Sequence, residues 1–235
     1  MVTSSAEALE FLTRGAITVK GRMPWSTNVT LLVQVALDGV TAPAVYKPAR
    51  GERPLWDFAP GLWKRELAAY LLSEALGWGL VPPTVARDGP HGEGALQLFV
   101  DADFEQHYFT LLEDRARHAS LQRICAFDLV ANNADRKSGH CLLGRDGRIW
   151  AIDNGLCFHV EPKLRTVIWE FGGAPIPAPL LDDVRRLLAR GLPPPLAALL
   201  APPERAALRA RARAVVDDGE FPEESEGHRY PWPLV

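Results

Sequence analysis

Nowhere in this sequence do apolar residues run for the roughly 18 to 20 positions that a bilayer-spanning helix needs. Residues 1–10 hold no basic region leading into an apolar stretch, so export is not expected and a cytoplasmic location is. Cysteine is scarce and odd in number: Cys125, Cys141 and Cys157 make no disulfide framework and point to a reducing compartment. No short-spaced cysteine pair anchors a zinc site. His140-Cys141 and Cys157-Phe158-His159 could in principle gather around a metal, but buried thiols are the expectation. An excess of positive charge is also missing. The formal net charge of −3 gives no global attraction to nucleic acid or to an anionic membrane, so neither partner is expected. Repeats and low-complexity tracts are absent, and the 20 prolines and 19 glycines scatter as punctuation. What remains, 47% hydrophobic and 23% charged residues in 235, is the balance of an ordinary globular chain with core for one large domain or two small lobes.

The punctuation divides the chain into recognisable segments. Residues 6–14 suit a short helix, and residues 16–19 and 29–37 read as strands joined by a polar loop. Asp38-Gly39 is a hairpin turn signal before a third strand at residues 44–47. Residues 62–76 read as an amphipathic helix with Trp63, Leu67, Tyr70 and Leu71 on one face, ended by Gly77 and Gly79. A strand follows Val81-Pro82-Pro83-Thr84, and residues 95–100 form a short buried one. A helix is predicted over 119–132, where Leu121, Ile124, Cys125, Asp128 and Leu129 recur at helical spacing. The polar loop 132–140 then leads into a hairpin, 141–143 with 149–152, turning at Arg145-Asp146-Gly147. Helices at about 180–190 and 204–217 complete the chain. Strands and one helix first, helices later, give an α+β fold of two unequal lobes: residues 1–100 as the sheet lobe, 101–235 as the helical one.

Three places supply the parts of phosphoryl transfer, which needs a cation for nucleotide phosphates, a carboxylate near the acceptor hydroxyl and ligands for a divalent metal. Lys47 ends a strand in Val45-Tyr46-Lys47-Pro48, and either Glu66 or Glu74 on the following helix could hold its ammonium. Asp135 stands among Asn132, Asn133, Arg136 and Lys137, donors that favour an ionised carboxylate suited to orient a hydroxyl. Asp153 leaves an apolar strand beside Asn154-Gly155 and suits a hard metal. Each has a plain alternative as a surface or turn residue. Their joint occurrence, with both carboxylates at the same end of one small sheet, is what favours chemistry. Arg205, Arg209 and Arg213 read instead as a solvated helix face, and the tryptophans, Trp56, Trp63 and Trp150 among them, as core and lobe anchors.

The segments NNADRKSGHCLL and AIDNGLCF resemble the catalytic core of type II phosphatidylinositol 4-kinases, HipA-type serine kinases and the wider phosphatidylinositol 3-/4-kinase relatives. With VYKPARG and ELAAYLLSEALGWGLVPPT, the whole chain resembles a small actinobacterial family described as phosphatidylinositol 3-/4-kinase-related. The resemblance covers about residues 16 to 160. It implies a two-lobed protein-kinase-like fold using ATP and a divalent metal, magnesium or manganese. It implies Lys47 and Glu66 as the phosphate-binding pair, and Ser26, Thr27 and Asn28 as a cap on the phosphates. Leu98, Phe99 and Val100 become the adenine-holding hinge. Asp135, with Arg136 and Lys137, becomes the catalytic loop, and Asp153 the metal ligand. His140 stands where the relatives usually carry a metal-binding asparagine. The cysteine-rich palmitoylation segment of the lipid kinases is absent, which turns the expectation toward a protein hydroxyl or a small soluble metabolite as acceptor. A degenerate kinase fold that binds nucleotide or a partner, and nucleotidyl transfer of AMP, use the same residues and stay open.

Overall fold

A computed structural model describes residues 5–24, 28–224 and 230–234. After helix α1 (Ser5–Arg14), strands β1 (Ala16–Arg22), β2 (Leu31–Leu37) and β3 (Val40–Pro48) form an antiparallel meander. The β2–β3 turn is built by Asp38 and Gly39, both at positive φ (49° and 78°), as a two-residue hairpin with right-handed strand twist requires. Strands β4 (Thr84–Gly89) and β5 (Gly92–Leu98) join the same sheet in the order β1-β2-β3-β5-β4. Period-two alternation puts Leu31, Val33 and Val35 of β2 inward, where they pack with Ala44, Tyr46 and Leu96 against Phe11 and Leu12 of α1. Gly15 allows that approach: a Cβ there would fall 2.3 Å from Val35 Cγ1 and 2.7 Å from the Phe11 carbonyl.

Helix α2 (Leu62–Leu76) occupies the predicted span but departs from the single-face pattern. Ten of its 15 residues are buried, Arg65, Glu66 and Ser73 among them. The reason is its setting: it packs against β4 and β5 on one side and against helices of the other lobe on the other. Its start needs outside help, because Gly61 at φ 101° offers no side chain. The Glu52 carboxylate accepts the Gly61 and Trp63 N–H groups at 2.8 and 2.7 Å, satisfying donors that a helix N-terminus leaves free.

The second lobe centres on α4 (His118–Ala131), preceded by a short α3 (Tyr108–Leu112). A three-stranded sheet of β6 (Ala102–Asp103), β7 (Cys141–Gly144) and β8 (Ile149–Ala151) lies beside it, with α5 (Ala178–Arg190), α6 (Pro194–Leu199) and α7 (Pro202–Asp218) behind. Prolines at the first turns of α5, α6 and α7 start each helix where no N–H is needed. The sequence pattern overlooks α6, whose six residues are too few for a periodic signal. Leu72, Leu76, Leu121, Ile124, Phe127 and Leu208 are fully buried in one core running from α2 to α7. Truncating such a leucine to alanine costs about 2–5 kcal/mol. The three cysteines are free and buried, and among the described residues no group of three or more His, Cys, Asp or Glu side chains is arranged to hold a metal. Trp63 is buried, but Trp56 is 93% exposed, so it is no core anchor; Lys163 Nζ stands 5.3 Å from its ring. Among the described residues no helix is long and apolar enough to cross a membrane.

Candidate active site

The two lobes meet at Lys47. Its Nζ donates to Glu66 Oε1 of α2 and, at 2.8 Å, to Asp153 Oδ1, which follows β8. Three segments far apart in sequence thus converge on one ammonium. Of the two glutamates that could have served, Glu66 is buried and Glu74 is exposed. Burial pulls the Lys47 ammonium down, but the Asp153 and Glu66 carboxylates outweigh it and hold its pKa above the ordinary value. Lys47 in turn keeps the half-exposed Asp153 carboxyl well below the usual range, against the cost of burial. Burial pushes Glu66 up, opposed by the pull of Lys47.

Glu66 has a second duty. Its Oε2 accepts the Asn154 N–H at 3.0 Å, so one carboxylate holds both the lysine and the backbone beyond Asp153. Gly155 makes room, since a Cβ there would lie 3.3 Å from Glu66 Oε1. Asp153 sits at φ 56°, in the left-handed region that a non-glycine residue enters only when its surroundings hold it there.

Asp135 lies in the loop after α4. Asn132 ends that helix at φ 55°, its amide donating to the His159 and Glu161 carbonyls at 3.1 and 2.7 Å. The Asp135 backbone N–H donates to Asn133 Oδ1 at 2.9 Å. The donors expected to favour an ionised Asp135 are opposed by burial, and the carboxyl stays mostly ionised at neutral pH. Burial raises its pKa to about 6, with Lys137 pulling down and Asp153 adding to the rise. Lys137 Nζ stands 3.5 Å from Asp135 Oδ2, while Arg136 turns away.

Arg136 is therefore no participant at the cleft, contrary to its grouping with the catalytic residues. It is fully buried, paired with Asp128 of α4 at 2.9 Å and hydrogen-bonded to Asn154 Oδ1 at 2.7 Å. Asp128 and Asn154 are the residues that sequence reasoning passed over. The signal was available: a carboxylate at helical spacing among Leu121, Ile124 and Cys125 must be buried and so must have a partner.

His140 bridges the Asp135 backbone and the Asp153 carboxylate. Its Nδ1 lies 2.9 Å from the Asp135 carbonyl and 3.4 Å from the Lys137 backbone nitrogen, so the backbone occupies that side of the ring. Nε2 stands 3.4 Å from Asp153 Oδ2. Burial pushes the imidazole down to about 4 despite Asp153, so it is neutral at physiological pH. Nε2 and Asp153 Oδ2 thus stand side by side at the cleft. A neutral imidazole with a carboxylate fits a divalent metal, whose remaining positions phosphate oxygens and water would fill.

The remaining expected residues are less gathered. Ser26 and Thr27 lie outside the described residues. Asn28 Oδ1 accepts the Arg53 N–H at 2.9 Å, turned to the chain after β3. Of the expected hinge residues Leu98, Phe99 and Val100, the first two already donate their N–H groups to the Pro83 and Pro43 carbonyls at 2.9 and 3.2 Å. The ring of Phe99 lies 6.3 Å from that of Phe104, an aromatic 63% exposed.

No family model matches the sequence. Among solved structures, the Golgi casein kinase with Mn/ADP bound superposes with a TM-score of 0.59 at 15% identity, covering 98% of this chain and 80% of that one. Hydra Fam20 with sugar gives 0.59 at 16%, covering 92% and 89%. The Helicobacter pylori proinflammatory kinase CtkA gives 0.52 at 12%, covering 89% and 94%. The fold is thus protein-kinase-like, with a small antiparallel-sheet lobe and a mostly helical one. The sequence is 43% identical to Protein Rv2133c of Mycobacterium tuberculosis over an alignment of 260 positions, covering 94% of this chain and 93% of that protein. The chain belongs to the same family as Rv2133c.

Proposed function

We propose that this protein transfers the γ-phosphoryl group of ATP to an alcohol, on a protein or a small soluble metabolite, in the cytoplasm. The observation that carries the reading is the Lys47 ammonium shared between Glu66 and Asp153, one contact from each lobe. In this reading residues 1–100 bind the nucleotide and residues 101–235 carry the reacting carboxylates. Lys47 holds phosphate oxygens, Val100 the adenine edge, and Ser26, Thr27 and Asn28 cap the phosphates. Asp153 and His140 would hold the magnesium or manganese ion, which when bound neutralises charge on the phosphates. The acceptor oxygen attacks the γ-phosphorus, the bond to the bridging oxygen of ADP breaks, and the hydroxyl proton passes to Asp135. A carboxyl of raised pKa, near 6, suits that task better than an ordinary aspartate. The Mn/ADP complex of a structural neighbour supports nucleotide and metal use. No lipid-specific feature of the phosphatidylinositol kinases supports a lipid acceptor.

A second reading is a kinase fold that binds nucleotide without turnover, favoured by His140 at the position where the relatives carry asparagine. A third, AMP transfer, uses the same side chains. Intact-mass spectrometry of the protein and candidate acceptors, after incubation with ATP and each metal, separates them. A gain of about 80 Da marks phosphorylation and about 329 Da adenylylation. Nucleotide binding with no gain on any acceptor and no ADP release would leave the binding module.

A further inference from the structure

Between the two carboxylates assigned to the reaction lies a side chain that touches neither. Arg136 follows Asp135 directly, and its guanidinium reaches the residues on both sides of Asp153. Nη1 donates to the Ile152 carbonyl and Nη2 to Asn154 Oδ1, each at 2.7 Å. The rest of the fork is spent on Asp128, which receives Nε and Nη2 at 2.9 Å each. Asp128 also accepts Asn133 Nδ2 at 3.1 Å, and Asn133 Oδ1 accepts the Asp135 N–H. Arg136 is further fixed through its backbone, its N–H donating to the Arg165 carbonyl and its carbonyl accepting the Val167 N–H, both at 3.0 Å. One buried ion pair is therefore wired to the backbone of Asp135 at one end and to both neighbours of Asp153 at the other.

We propose that Arg136 is a positioning residue that sets the separation and orientation of Asp153 relative to Asp135; the inference rests on the kinase reading above. Asp153 holds a left-handed backbone, which persists only where the surroundings over-determine it, and bonds to Ile152 and Asn154 do that. A mere stabilising role explains less. A buried ion pair contributes little net stability over apolar residues of the same volume. A planar fork with donors for three segments is also a demand that lysine, a compact point charge, does not meet.

The test compares wild type, Arg136→Lys and Asn154→Ala by calorimetric titration with ADP, with and without manganese, alongside thermal unfolding of each apo protein. Asn154→Ala leaves the Arg136–Asp128 pair and the Ile152 bond intact and removes the Arg136–Asn154 bond with the Asn154 Nδ2 bond to the Ala151 carbonyl, so it decides the matter if Arg136→Lys does not fold. Positioning predicts that the metal-dependent gain in ADP affinity falls by about tenfold or more in the variants, as when a group orienting a metal ligand is removed. Metal-free ADP affinity should stay within about twofold, because Lys47 and Glu66 are untouched. Lower melting temperatures with the full metal-dependent gain retained would overturn the positioning role and leave the kinase reading standing. Absence of any metal-dependent gain in the wild type would overturn both.

Discussion

Lys47 and Asp153, 106 positions apart, meet at 2.8 Å, and the second carboxylate on the same ammonium, Glu66, is almost wholly buried. The pair is a structural tie between lobes and, in the kinase reading proposed above, the place where phosphate oxygens bind. Lys47→Ala should abolish most of the rise in melting temperature that ATP with metal confers, since a ligand bound only by the folded state must stabilise it. It should also cost about 3 kcal/mol of apo stability, because Glu66 is left buried without its counter-ion. Lys47→Met with Glu66→Gln should recover much of that loss without restoring the ATP effect. Thermal unfolding with and without Mg-ATP checks both; an unchanged ATP shift in Lys47→Ala removes this lysine from the site.

Asp153 and Asp135 should separate by function. A metal ligand acts already in the ground state, whereas a proton acceptor acts mainly in the transition state. Asp153→Asn should weaken metal-dependent ATP binding, and Asp135→Asn should spare binding while lowering turnover by about a hundredfold or more. Equal, wild-type affinity of both variants for ATP with metal would remove Asp153 as the ligand.

His140 tests the softness of the metal site. With Nε2 3.4 Å from Asp153 Oδ2, a ligating imidazole would favour manganese over magnesium, whereas an asparagine oxygen would not. His140→Asn should flatten or reverse the preference measured by titration with each metal–ATP complex. Identical preference in the two proteins rules the imidazole out as a ligand.

The same two side chains give stability opposite slopes with pH in metal-free buffer. Asp135 is raised from 3.8 to about 6, so the folded state binds more protons across that window and its contribution is lost as pH rises. His140 is lowered from 6.5 to about 4, so its contribution is lost as pH falls from 6.5 toward 4. Each amounts to about 3 kcal/mol, and between pH 4 and 6 they oppose one another. Asp135→Asn should therefore give stability that climbs more steeply with pH than wild type, and His140→Asn stability that falls relative to it. Denaturant unfolding at pH 4, 5, 6 and 7 distinguishes these; parallel profiles would show that neither group is shifted in the folded state.

Much of this was legible in the sequence because the carriers are local patterns. Asp38-Gly39 can hardly be other than a hairpin turn, and the end of α2 follows from Gly77. Choosing Glu66 over Glu74 was not possible from periodicity, since both fall near the apolar stripe. Only the docking of α2 between the lobes buries one and exposes the other. The upward shift of Asp135 was not legible for a related reason: a list of neighbours in sequence counts donors but not burial or direction, and Arg136 points the other way. Asp128 and Asn154 went unnoticed because their work is done through a residue distant from each in the chain.

The divided carboxylate of Glu66, one oxygen on Lys47 and the other on the Asn154 amide, has a mechanical consequence. Helix α2 carries that glutamate rigidly, so any displacement of the helix releases the lysine of one lobe and the Asp153-Asn154 turn of the other together. Opening of the cleft by this route should therefore be concerted, and slow exchange of the Asn154 N–H, held by Glu66, should report it.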